Sequence, residues 1–138
     1  MTLDERLEKM SKLNLKIDTK IQELVHLKAL AEKTTSYVTG MPGNSNKAKR
    51  TMADTIDKIV DLQYEINNEI DEYVDIKSEM YHAINKLEDS DQRLVLEMRY
   101  INEMKWQEIA GAIGCADRHV YRIHEAGIKN LKKFFECQ

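Results

Sequence analysis

Arg118, His119 and Arg122 are the side chains whose types and spacing point most directly to chemistry in this 138-residue chain. On a helix, residues four apart share one face and the residue between lies beside them. An arginine so placed can hold O6 and N7 of a guanine through two hydrogen bonds, each such pair worth roughly 1–3 kcal/mol of discrimination. Tyr121 has two open readings: it meets a thymine methyl or a phosphate, or it packs on a neighbouring helix. Asp117 stands at the same end and, because Ala116 has no hydroxyl, is expected to cap the helix; it remains among the DNA-facing candidates. Lys105 and Gln107 open a preceding short helix whose N-terminal amides suit a DNA phosphate. Arg99 either clamps a phosphate or pairs with a carboxylate inside the domain. Lys129, Lys132 and Lys133 extend the basic side as backbone attraction or as a solubilising stripe.

These side chains need a rigid carrier, and the residues between them describe one. Ile109, Ala110 and Ile113 make the inward face of a short helix that Gly114 ends, since glycine adopts the left-handed conformation at least cost. Cys115 is the small apolar plug of the turn. Val120 and Ile123 face inward from a last helix running from about Ala116 to Phe135, continued by Ile128 and Leu131. This is the helix-turn-helix pattern, whose second helix enters the DNA major groove. Trp106 is expected on the support helix, Arg93 to Ile101, with Leu94, Val95, Met98 and Ile101 inward. Asp89 or Ser90 can cap its start, and Asp89 with Gln92 fits a capping box.

The N-terminal part keeps helical time. Positions 3, 10, 17, 24 and 31 are Leu, Met, Ile, Leu and Ala, and Leu7, Leu13, Ile21, Leu27 and Leu30 widen the stripe to about Tyr37. Asn14 and Lys28 interrupt the row of Leu7 and Ile21; such a polar residue fixes register at some cost in stability. Thr39 to Asn46 is a cluster of turn residues. From about Lys47 to Leu87 a second repeat has Met52, Ile59, Ile66, Tyr73, Met80 and Leu87, with Ile56, Ile70 and Ile84 as a second row interrupted by Gln63 and Lys77. Lys47, Lys49 and Arg50 sit where the helix dipole disfavours cations, marking either an anionic partner or ordinary loop-edge residues. The fold class is therefore all-α: a long antiparallel helical hairpin at 1–88 and a helix-turn-helix domain at 89–138. Two helices make a thin core and these stripes are wide, so 1–88 is expected to form a homodimer, most simply as a four-helix bundle; the other reading is a self-contained hairpin packed on the C-terminal domain.

Charge agrees with a basic end on an acidic body. Residues 1–90 hold 13 Lys/Arg against 17 Asp/Glu, whereas 118–133 hold five basic residues against Glu125 alone. Polyanion contact is thus placed at the C-terminal end. Apolar runs fall short of the ~18 residues of a membrane span, and no export signal is seen, so the two cysteines are expected as reduced thiols in the cytoplasm. Cys115, His119, His124 and Cys137 lack the spacing and shared face of a zinc site. No metal or other cofactor is expected. With neither a phosphate-cradling glycine loop nor a nucleophile-and-base set, the chain does not read as an enzyme.

Residues 87–135 resemble the promoter-reading region 4 of bacterial sigma factors. The resemblance rests on Arg99-Tyr100, Gln107-Glu108-Ile109-Ala110, Ile113-Gly114 and the closing helix from Val120 and Ile123 to Leu131. With the hairpin in front, the chain looks like the phage and prophage late-operon regulators of the ArpU/RinA-like group, on Arg99-Tyr100-Ile101, Trp106 to Ala110 and Val120 to Ile128. That resemblance implies a transcription activator of late packaging and structural genes, binding double-stranded DNA in a bacterial host cell, with RNA polymerase as a further partner. Ala116 to Arg122 departs from the sigma pattern at its exposed positions only, which implies a target other than the −35 element. Two rivals share the pattern: a small terminase subunit that marks viral DNA for packaging, and a sigma-like adaptor that touches polymerase without reading DNA.

Overall fold

A computed structural model of the chain describes the backbone of residues 1–40 and 45–136 and the side chains of 1–33 and 50–136. Residues 41–44 of the expected turn, the side chains of Lys47 and Lys49, and Cys137 lie outside the described residues. The protein is all-α: α1 spans Leu3–Gly40, α2 Ser45–Ile84, α3 Ser90–Leu96, α4 Trp106–Ile113 and α5 Asp117–Glu136, with a π-helical stretch, Glu97–Ile101, continuing α3. Among the described residues no helix is long and apolar enough to cross a membrane.

The chain divides into two compact units, Ser11–Tyr73 and Met1–Met10 with Val74–Gln138. In the first, α1 and α2 meet along a seam of Leu13, Ile17, Leu62 and Ile66, all buried. Lys20 reaches across to Glu69 at 2.5 Å and Glu65 at 3.4 Å, and a groove brings Leu27 beside Lys58 and Leu62. Rising numbers in α1 therefore meet falling numbers in α2. The hydrogen bond that Lys20 donates to Glu69, with both carboxylates' charge, holds its ammonium above the usual range against the opposing effect of burial.

The seam corrects the sequence reading of the hairpin's second rows. Beside 3/10/17 runs 6/13/20/27, which holds the expected Leu13 and Leu27, and not 14/21/28; in α2 the partner of 52/59/66 is 55/62/69, not 56/63/70. Ile21, Ile56 and Ile70 are exposed, and the polar seam residue is Lys20 instead of Asn14 or Lys28. Charge decides this: Lys20 enters the seam because Glu69 neutralises it there, a pairing invisible to an apolar period.

The second unit contains the head, 89–138, together with the start of α1 and the end of α2. Leu3, Met80, Ile84, Leu96 and Leu131 are fully buried. Arg6 pairs with Glu79 and lies over the Phe135 ring at 4.8 Å, and Asp4 meets Lys132 at 3.6 Å. Asp89 caps α3, its Oδ1 accepting from the N–H groups of Asp91 and Gln92 at 2.9 and 3.0 Å. Gln92 does not complete a capping box; its Oε1 accepts from Asn130 Nδ2 at 2.9 Å, tying α3 to α5.

Two further expectations change in the support helix. Leu94 is exposed and Leu96 takes its place inward, because Gly127 lets α3 approach α5 so closely that an added Cβ would lie 3.0 Å from Leu96 Cδ1. The helix also widens at Glu97–Ile101, where Asn102 N–H donates to Glu97 O at 3.0 Å. A bond spanning five residues spreads the turn over more side chains, so neighbours diverge by less than the ~100° of an α-helix.

Candidate nucleic-acid interface

The head core is Val95, Ile109, Ala110 and Val120, with Met98, Met104, Trp106, Ile113, Cys115 and Ile123 packed around it. Gly114 ends α4 at φ 78°, and its N–H and that of Cys115 both donate to Ala110 O, at 2.9 and 3.2 Å. This left-handed exit closes α4 and turns the chain within two residues. Ala116 O then accepts from His119 and Val120 N–H, at 3.0 and 3.2 Å, so Ala116 holds the cap position of α5. Asp117 is the first residue inside the helix, not its cap. An acidic side chain in the first turn still favours the helix through the dipole.

Val120 is 1% exposed and fixes the rotation of α5. Asp117, Arg118, His119, Tyr121 and Arg122 are all left exposed by it, as are Lys105 and Gln107 at the start of α4. Lys105 is the cap residue of α4, in extended conformation and making no side-chain cap bond. Among the described residues neither Arg118 nor Arg122 has an ion-pair partner, so both guanidinium forks remain available. Arg50, like these, is exposed.

Arg99 belongs elsewhere. Its guanidinium lies 4.4 Å over the Trp106 ring, and Nη1 donates to Met104 O at 3.0 Å. Half-buried, it holds the loop before α4 and leaves the exposed group. Trp106 in turn packs edge-on to His124, centroids 4.7 Å apart, and against Tyr121 at 4.9 Å. Tyr121 therefore supports Trp106 with part of its ring while the remainder stays at the surface. Lys132 likewise is engaged by Asp4, whereas Lys129 and Lys133 are exposed.

Sequence reasoning missed the partner of this packing, a hydrogen bond of 2.7 Å between Tyr100 Oη and His124 Nε2. Burial first, and then the charge of Arg99, hold the His124 imidazole below its usual range, with Glu125 opposing. Burial likewise raises the Tyr100 phenol. The bond between Tyr100 and His124 locks the π-helical stretch to α5. The signal in the sequence was the spacing of Tyr121 and His124, one helical turn apart and both able to cover Trp106.

The elements thus define an all-α protein whose α4–turn–α5 unit presents a polar, arginine-bearing face on a closed core. By sequence, the chain belongs to the family described as "Protein of unknown function (DUF1492)", which matches residues 34–132. It is also similar to "RNA polymerase sigma factor SigO" of Bacillus subtilis (strain 168), 29% identical over 91 residues. The match covers 66% of this chain and 48% of that protein, so the chain spans about half the length of the relative. The relative belongs to the sigma class that residues 87–135 resemble. No solved structure matches the chain.

Proposed function

We propose that the chain is a sequence-specific DNA-binding transcriptional regulator, an activator of phage late genes of the ArpU/RinA-like kind. The observation that carries this reading is the pairing of a buried Val120 with unpaired, exposed Arg118 and Arg122 on one helix. Recognition would come from α5 in the major groove, with Arg118, His119 and Arg122 at base edges and Asp117 and Tyr121 beside them. Lys105 and Gln107 at the start of α4 would meet phosphates. The same reading takes residues 1–88 as the homodimerising part, places the protein in the host cytoplasm, and assigns it no enzymatic role.

Similarity to an RNA polymerase sigma factor favours a second reading, in which the head touches polymerase without reading DNA. Binding-site selection on the purified full chain, followed by Arg118→Ala/Arg122→Ala, separates the two. A reader loses specific binding by about thirtyfold or more, two bidentate contacts at roughly 1–3 kcal/mol each. An adaptor shows no preferred site and keeps polymerase binding in the double variant. A ring of many copies would instead favour the terminase rival.

A further inference from the structure

Within residues 11–73 the seam leaves a second apolar row in solvent on each helix. Ile21 and Val25 of α1 are 41% and 63% exposed; Val60 and Ile70 of α2 are 57% and 37% exposed. Each row follows its seam row by one residue: 21 follows 20, and 63 and 70 follow 62 and 69. One residue turns both helices by the same angle, and because they run in opposite directions it carries both rows to the same side of the pair.

The rows also share an unusual order. Along α2 it is Val60, Gln63, Asn67, Ile70: apolar, amide, amide, apolar, spaced evenly about position 65. Along α1 it is Asp18, Ile21, Val25, Lys28: acid, apolar, apolar, base, spaced evenly about position 23. The charged pair Asp18 and Lys28 is exposed, as are Gln63 and Asn67. The two centres lie at one level of the hairpin, since Lys20 meets Glu65 and Glu69 and Leu27 lies beside Leu62.

A two-fold axis through that level lays each row on its own reverse, as a self-complementary interface requires. Val60 then opposes Ile70 of the second copy, Gln63 opposes Asn67, Ile21 opposes Val25, and Asp18 opposes Lys28, each pair occurring twice. We propose that this face is the contact with a second copy of the chain, packed antiparallel so that α1 meets α1 and α2 meets α2. A partner of unrelated sequence would not need rows that complement their own reverse. The inference rests on the reading of 1–88 as the homodimerising part and is independent of whether the head reads DNA.

Sedimentation equilibrium on the full chain tests it, with helicity by circular dichroism as the check on folding. The wild type is expected to be a dimer. Val60→Lys/Ile70→Lys raises the dissociation constant by roughly a hundredfold or more, because both Val60–Ile70 contacts, four apolar side chains in all, are lost. Asp18→Lys and Lys28→Asp each weaken the dimer about tenfold by opposing like charges twice, and Asp18→Lys/Lys28→Asp combined returns it to near the wild-type value. A monomeric wild type overturns both this face and the dimer reading. A dimer indifferent to Val60→Lys/Ile70→Lys, or not restored by the combined charge exchange, overturns this face alone.

Discussion

The head and the 11–73 hairpin use apolar residues in opposite ways. Around Val95, Ile109, Ala110 and Val120 the head closes a core on every side, and its exposed residues are mostly polar. The hairpin buries one seam and leaves Leu15, Ile21, Val25, Val60 and Ile70 in solvent. Three short elements around a tight turn can enclose a small core, whereas two long helices present each other with only one stripe apiece. Sequence hydrophobicity therefore means fold in the head and surface in much of the hairpin.

The largest expected effect sets the two regions directly against each other. Ile109→Ala should destabilise the head by about 2–5 kcal/mol, as the loss of a fully buried side chain does. Leu15→Ser should change stability by no more than about 0.5 kcal/mol. Denaturant unfolding followed by Trp106 fluorescence, the single tryptophan, reads the head; circular dichroism reads the helices as a whole. A similar cost at both positions would break the contrast.

A smaller effect tests how tightly the head is closed. Gly127→Ala forces a methyl to within about 3.0 Å of Leu96 Cδ1 and should cost about 1–3 kcal/mol in the same unfolding experiment. The smallest is a pH dependence confined to the head. His124 is held neutral when folded, while the unfolded chain takes up a proton near the ordinary histidine value of 6.5. Stability should be full above that value, fall as pH drops through it, and level off once the folded imidazole also protonates. In His124→Gln this slope should flatten, measured as the unfolding midpoint between pH 7.5 and 5.5.

Of the positions read as inward on either side of Gly114, Ile109, Ala110 and Val120 are buried and Ile113, Cys115 and Ile123 pack against them, because a glycine-ended helix, a small plug and a second apolar face leave few alternatives. The hairpin's repeats gave one correct row in each helix. In the other rows Leu13, Leu27 and Ile84 are read correctly, but Ile21, Ile56 and Ile70 are not, since these look like core while Lys20 and Glu69 do not. Their mutual neutralisation is a property of the pair, which no single position reveals. Leu96 displaced Leu94 for a similar reason: its place depends on Gly127, thirty-one positions on, having no side chain. Arg99 read as a surface cation because nothing local announces a tryptophan beneath it.

The wide turn at Glu97–Ile101 has a consequence for how this segment tolerates change. Its one surplus residue sets the rotation that brings Arg99 over Trp106 and Tyr100 to His124. Exchanging a side chain there alters a single interaction, but deleting one residue would restore ordinary winding and swing both groups away together. Chain length, more than chemical identity, is what this stretch must conserve.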